Sequence, residues 1–197
     1  MIFAALDYWH AGIKPPADRP LPGTPLYRFI VRRLIQSWRI PAGVATYYQW
    51  MTLPDRDTPV RWRGYLAATR HGLAQRTVAR QWPLVRARID AGQPATLGLV
   101  TVAGPNPLRL GHNHQVLACG YRTDGATVTI QVYDPNSGQD DGVFIRFDLF
   151  GPATAGRFAH NVNIGWPVRG FFLTAYKPAL PPSGADAASA ARAANGP

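Results

Sequence analysis

The chain has 197 residues, of which 46% are hydrophobic and 16% charged, a balance that is typical of a globular protein and excludes an intrinsically disordered chain. Its length fits one domain with a sizeable core. The formal net charge of +10 comes mostly from arginine and points toward anionic partners. Because the sequence shows no long basic block and no aromatic-basic stacking pattern, we interpret the charge as a solvated surface and do not expect a nucleic-acid partner.

The sequence predicts no membrane span, since no apolar run approaches the ~20 residues that a spanning helix requires. Met1 to Leu6 is apolar, but Asp7 and His10 follow too soon for a signal peptide. A single cysteine, Cys119, excludes an internal disulfide framework. These features leave both the cellular location and the oligomeric state open.

Helical periodicity and end signals dominate the first half of the chain. Thr24 is a candidate N-cap, with Pro25 in the first helical position. The three- and four-residue spacing of the inward positions of that helix includes Arg33. A basic edge, which we interpret as a solvated face, consists of Arg28, Arg32, Arg33 and Arg39. We expect residues 53–63 to form a loop. The predicted helices cover residues 2–10, 25–38, 64–80 and 82–91, and residues 45–51 are predicted to form a short helix or a turn.

Strand patterns dominate the second half. Residues 94–102 are almost continuously apolar, which is typical of a strand buried on both faces. Residues 178–197 are rich in Ala, Pro and Gly, so we predict a disordered tail. Helices followed by strands indicate an α+β fold. The predicted strands cover residues 94–102, 113–121, 127–133, 143–149 and 168–176.

The most informative segment, residues 110–137, predicts a β-hairpin that brings a histidine and an aspartate together. Asp124-Gly125 supplies the backbone conformations that a tight turn needs. The first strand opens with His114 and the second closes with Asp134. Antiparallel pairing places the start of one strand beside the end of the next, so the imidazole and the carboxylate can be neighbours. A His-Asp pair is the orienting half of a nucleophilic triad.

The residues NHQVLACGYR and VTIQVYDPN resemble the His and Asp motifs of papain-like cysteine peptidases, specifically the branch that processes bacteriocin leaders. The resemblance covers about the second half of the chain. It implies a papain-like α+β fold over residues 1–177, with N-terminal helices packed on a C-terminal antiparallel sheet. It also implies a Cys-His-Asp triad acting on a peptide or another amide without a cofactor, with His114 as general base and Asp134 as its orienter.

The nucleophile of that triad has no counterpart in the sequence. In the family the cysteine lies at the start of the first helix, and residues 1–12 resemble the continuation of that helix. The resemblance therefore predicts that the cysteine segment would precede Met1, and that the chain as written lacks peptidase activity. Cys119 lies five residues beyond His114 on one predicted strand, so alternation sends it to the opposite face. We expect it to be a small buried core residue.

Several alternatives remain open. His112-Asn-His114 could chelate a metal from one strand face, with a third ligand from Asp134, His160 or Asp140-Asp141, but no third ligand is convincing and we expect no metal site. Asp134 could instead cap the turn that follows it. The whole domain could be a catalytically inactive module of the same fold that binds peptides. Besides the peptidase and the peptide-binding module, a third hypothesis is that the basic surface binds nucleic acid or a membrane.

Overall fold

The computed structural model describes residues 1–16, 20–138, 140–150 and 158–182. The chain divides into two compact units. Unit 1 combines Met1–Pro41 with Ala175–Pro197, and unit 2 is Ala42–Thr174. Most of the predicted tail, residues 183–197, lies outside the described residues. None of the helices in the described part of the chain combines the length and the apolar character that crossing a bilayer requires.

The described part of unit 1 contains two helices, α1 (Ile2–Ala11) and α2 (Pro25–Ser37), which confirms both predictions. The predicted cap of α2 is present, because the Thr24 hydroxyl accepts a hydrogen bond from the backbone N–H of Tyr27 at 3.2 Å. Gly12 ends α1 in the left-handed conformation, with φ of 63°. The buried core shared by the two helices consists of Ala4, Tyr8, Leu26 and Phe29.

A buried ion pair joins the two helices of unit 1. Arg33 was predicted to belong to the basic edge of α2, but it is buried and pairs with Asp7 of α1. The Arg33 side chain also donates to the carbonyl of Lys177 at 2.8 Å. Asp7 accepts further hydrogen bonds from the Tyr176 hydroxyl at 2.6 Å and the Ala179 N–H at 2.9 Å. The periodicity of α2 had also placed Arg33 among the inward positions. Its charge can be buried there because Asp7 pairs with it.

Among the residues that the structure describes, unit 2 contains the strands and the other helices. In chain order these helices are α3 (Ala42–Met51), α4 (Leu73–Arg76) and α5 (Trp82–Asp90), with a π-helical turn at Thr77–Gln81 and a 3₁₀ helix at Pro107–His112. The strands are β1 (Thr58–Trp62), β2 (Tyr65–Arg70), β3 (Ala95–Val100), β4 (His114–Asp124), β5 (Thr127–Tyr133), β6 (Phe144–Asp148), β7 (Ala159–His160) and β8 (Gly170–Leu173).

Among the described residues, six strands form one antiparallel sheet in the order β7-β6-β5-β4-β3-β8. Its strand β3 is buried along its whole length, as the continuous apolar run predicted. One face of the sheet packs on Trp82 and Val85 of α5, and Val100 and Phe172 pack with residues of α3. The helices and the antiparallel sheet confirm the α+β class.

Residues 53–80 differ from the prediction of a loop followed by a helix. Residues 58–70 form a hairpin, β1–β2, in which Trp62 pairs with Tyr65. The connecting residues Arg63 and Gly64 both have positive φ, 50° and 83°, which is the conformation of a tight two-residue hairpin turn. Arg-Gly is not among the usual turn pairs, and the apolar spacing of the second strand matched a helix by coincidence. Helical structure begins at Leu73.

Gly98 lies where β3 passes closest to its neighbours. A Cβ atom at this position would lie 2.7 Å from both the Phe172 ring and the Tyr47 hydroxyl. We expect Gly98→Ala to destabilise the protein by about 1–3 kcal/mol, because two packed rings must move. Urea unfolding would measure the loss. Gly111→Ala is the matched control, since a Cβ there meets nothing within 4 Å, and an equal loss in both variants would contradict the packing explanation.

Candidate functional site

The β4–β5 hairpin brings His114 and Asp134 into contact. His114 is the first residue of β4, and Asp134 directly follows the last residue of β5. The hairpin turn is Gly125-Ala126, with Asp124 paired to Thr127, one position later than predicted. The imidazole Nε2 of His114 lies 2.8 Å from Oδ1 of Asp134.

Hydrogen bonds from two neighbouring elements fix the start of β4. The Tyr47 hydroxyl of α3 donates to the backbone carbonyl of His114 at 3.1 Å. Thr101, just past the end of β3, donates its N–H to the Asn113 side chain at 3.1 Å and its hydroxyl to the His112 carbonyl at 2.9 Å. The backbone that carries His114 is therefore positioned by α3 and β3 together.

Asp134 is buried and its carboxylate accepts four hydrogen bonds. Besides His114, the donors are the backbone N–H groups of Asn136 at 3.0 Å and Asn163 at 2.9 Å, and the Ser137 hydroxyl at 2.9 Å. Burial alone would raise the pKa of this carboxyl, but the hydrogen bonds from Asn136, His114, Asn163 and Ser137 outweigh it, and the pKa is lowered. Asp134 is therefore ionised at neutral pH.

The ionised carboxylate determines the tautomer of His114. A carboxylate can only accept hydrogen bonds, so Nε2 of His114 carries a proton and donates it to Asp134. In the neutral ring the lone pair is then on Nδ1, which has no hydrogen-bond partner among the described residues. An oriented imidazole with a basic Nδ1 can accept a proton from a nucleophile placed beside it.

Two of the four hydrogen bonds to Asp134 come from the turn that follows it. The N–H of Asn136 and the hydroxyl of Ser137 close an Asx-type turn on the carboxylate. Asp134 therefore caps this turn and contacts His114 at the same time. The two functions are compatible, since the turn holds the carboxylate at the end of β5.

The prediction that His112 and His114 share one strand face was wrong. His112 is the last residue of the 3₁₀ helix Pro107–His112 and is exposed. Its ring contacts Trp166 edge to face, with the ring centroids 5.6 Å apart. The Pro-rich segment forms a helical turn before β4 begins, and this breaks the alternation on which the prediction depended.

His160, another residue considered as a metal ligand, is engaged in a backbone hydrogen bond. His160 lies on β7, and its Nε2 accepts the Val168 N–H at 3.3 Å. Burial lowers the pKa of His160, which favours its neutral form. In the described ranges, no group of three or more His, Cys, Asp or Glu side chains is arranged to hold a metal ion.

Cys119 was expected in the core, but it is exposed. Ala118 pairs with Val132 and Gly120 pairs with Gln131, so Cys119 is the extra residue of a β-bulge. The expectation of burial came from the general tendency of free cysteine to be buried, and it was wrong for this bulge residue.

A second His-Asp pair lies at the base of the β1–β2 hairpin. His71 Nδ1 is 2.8 Å from Asp57 Oδ2, and the N–H of Gly72 donates to the other carboxylate oxygen at 2.8 Å. These side chains are 43% and 27% exposed, whereas the Asp134 side chain is fully buried. Burial and the number of hydrogen-bond donors make the His114–Asp134 pair the better candidate for chemistry.

Sequence reasoning missed three residues of this region, Ser137, Asn163 and Trp166. The Asp-Pro-Asn-Ser turn could have indicated Ser137, because short polar side chains commonly bond back in such turns. Asn163 is 29 residues from Asp134, and no local pattern announces a contact over that distance. Its side chain also donates to the Asn136 carbonyl at 2.8 Å, which ties the two loops together.

Three comparisons were made for this chain, against protein-family models, characterised proteins and solved structures. No family model, no characterised protein and no solved structure matches it. The candidate site is therefore defined by its own geometry: an ionised, buried Asp134 that orients the imidazole of His114.

Proposed function

We propose that this chain is a papain-like cysteine peptidase-type domain, with His114 as general base and Asp134 as its orienter. The observation that carries the proposal is the 2.8 Å contact between His114 Nε2 and Asp134 Oδ1, made to a carboxylate that three further donors hold in place. The resemblance of both motifs to that peptidase family supplies the reaction class. We also propose that the α+β fold of the chain is papain-like.

In the proposed reaction, Nδ1 of His114 accepts the proton of a cysteine thiol, and the thiolate attacks an amide carbonyl carbon. The C–S bond forms, the C–N bond breaks, and the proton passes from the imidazolium to the leaving amine. Water then attacks the thioester carbonyl carbon while Nδ1 of His114 accepts a proton from it. The C–O bond forms, the C–S bond breaks, and the proton passes from the imidazolium to the leaving thiolate. Asp134 stabilises the imidazolium in both steps and keeps the ring in place.

Cys119 is a poor candidate for the nucleophile. Although the residue is exposed, desolvation is the main influence on its thiol and raises the pKa, whereas a nucleophilic cysteine needs a lowered pKa. The thiol also donates to the carbonyl of Leu117 on its own strand, at 3.5 Å. The proposal therefore takes the nucleophile from a cysteine encoded upstream of Met1, as the resemblance implies.

The test is alkylation of a longer protein, expressed from a start about twenty codons upstream of Met1. We expect a cysteine in that added segment to react with iodoacetamide at neutral pH faster than Cys119. His114→Ala should slow this reaction by about 100-fold or more, the range typical of a general base. Peptide mapping by mass spectrometry would follow each cysteine separately.

His71→Ala is the matched control, because His71 is the other histidine paired with an aspartate and should leave the rate unchanged. Three results would contradict the peptidase proposal: no cysteine upstream, a cysteine that labels no faster than Cys119, or equal slowing by both histidine variants. Any of them would leave the inactive peptide-binding module as the interpretation of the fold.

A further inference from the structure

The hairpin β1–β2 is exposed on both of its faces. Every residue of Thr58–Trp62 and of Tyr65–Arg70 is exposed, and in the described chain these strands pair with each other rather than with the six-stranded sheet. A two-stranded hairpin with both faces in water is marginally stable on its own. Its exposed side chains therefore need an explanation other than packing.

The apolar side chains of the hairpin are concentrated at its tip, which we define as residues 61–66. Trp62, Tyr65 and Leu66 are 65%, 80% and 65% exposed. Trp62 and Tyr65 are cross-strand partners and share one face, whereas Leu66 pairs with Arg61 on the other face. The tip is thus apolar on both faces.

The tip is also cationic. Residues 58–70 contain Arg61, Arg63 and Arg70 and no acidic residue. The Arg63 guanidinium lies 4.6 Å from the centroid of the Trp62 ring, and Arg61 donates to the Gly64 carbonyl at 3.1 Å. One positive charge is therefore held over the exposed Trp62 ring, and a second belongs to the residue that pairs with Leu66.

We propose that the hairpin tip docks on an anionic membrane surface by inserting into the lipid headgroup layer. Trp and Tyr favour the interface between water and hydrocarbon, Leu66 adds apolar area, and Arg61 and Arg63 pair with lipid phosphates. A nucleic acid would contact a ribbon or a stacking platform from one side. A tip that is apolar on both faces is better suited to the lipid headgroup layer, which would contact both faces at once. This inference is independent of the chemistry proposed for His114.

The test is co-sedimentation of the 197-residue chain with phosphatidylcholine vesicles, with and without phosphatidylserine. We expect binding to the anionic vesicles and weaker binding to the neutral ones. Arg61→Gln/Arg63→Gln should lower the affinity by about tenfold or more, since each interfacial arginine contributes roughly fivefold. Trp62→Ala/Leu66→Ala should lower it on both kinds of vesicle. The tip residues are exposed, so thermal unfolding should be unchanged in these variants.

Two double variants of exposed residues elsewhere in unit 2 serve as matched controls. Arg80→Gln/Arg122→Gln removes the same charge, and Leu108→Ala/Phe150→Ala removes comparable apolar area. Loss of binding in these controls equal to that in the tip variants would overturn the proposal, as would no binding to anionic vesicles. Tip-dependent binding of a single-stranded oligonucleotide in place of vesicles would also overturn it. So would tip-dependent self-association, measured by sedimentation velocity.

Discussion

Asp134→Asn is expected to destabilise unit 2 by about 3–5 kcal/mol near neutral pH, because several hydrogen bonds to a buried carboxylate are weakened or lost at once. The carboxylate accepts hydrogen bonds from four donors, and an asparagine side chain has one oxygen and would turn its NH₂ group toward some of them. The turn after β5 and the loop carrying Asn163 lose their common acceptor. Urea unfolding followed by circular dichroism would measure the change.

The pH dependence of this loss follows from the pKa of Asp134. The pKa is lowered in the folded protein from the ordinary value of 3.8, so its stabilising effect is fully present above 3.8. The effect disappears as the pH falls through the folded pKa, because the unfolded chain then binds the proton first and the native carboxylate follows. The stability difference between the native protein and Asp134→Asn should therefore shrink in strongly acidic solution.

Asp124→Asn is the control for charge alone. Asp124 ends β4 at the far end of the same hairpin and is exposed, so its replacement should change the free energy of unfolding by less than about 0.5 kcal/mol. A difference between the native protein and Asp134→Asn that stays constant with pH would show that shape, and not the ionised carboxylate, is responsible.

The β4–β5 hairpin could be predicted from the sequence because its signals are local. Asp124-Gly125 predicts a turn within one residue of its observed position, and Thr127 to Tyr133 alternates polar and apolar residues. The pairing of the strands and the meeting of His114 with Asp134 both follow from these signals. The bulge that adds Cys119 to β4 had no comparable local signal. The alternation failed at His112, where the chain is helical and not extended.

The partners that complete the site are set by tertiary contacts and could not be predicted. Asn163 reaches Asp134 from a loop near β7, and Tyr47 reaches the His114 backbone from α3. Their residue types are common, and no spacing links them to the hairpin. The β1–β2 hairpin was missed for another reason: it lacks a buried face, so the hydrophobic pattern that usually identifies a strand is absent.

Arg169 connects this site to the core of unit 2. Its buried side chain donates to three backbone carbonyls, Met51 at 3.5 Å, Leu53 at 2.9 Å and Val102. Val102 directly follows Thr101, which holds Asn113, and the Asn113 amide in turn lies 3.2 Å from the Met51 sulfur. The end of α3 and the end of β3 are thus joined by Arg169 directly behind the residues that position His114.

Arg169→Leu is expected to cost about 3–5 kcal/mol in the free energy of unfolding, because three carbonyls with little access to water lose their donor. Arg169→Lys should be intermediate, since a single ammonium cannot reproduce the fork of the guanidinium. Asp55→Asn should cost less than about 1 kcal/mol, because Asp55, although 2.6 Å from Arg169, is 51% exposed. Chemical denaturation of the three variants would rank these effects.

Hydrogen exchange in Arg169→Lys would separate local loosening from general destabilisation. The Thr101 amide, bonded to Asn113, should exchange faster than in the native protein, because the segment behind it has lost part of its support. The Leu149 amide, bonded to the carbonyl of Ala126 in the β4–β5 turn at 2.8 Å, should change less. Equal acceleration at both amides would mean that Arg169 stabilises unit 2 as a whole without a particular effect on the backbone of His114.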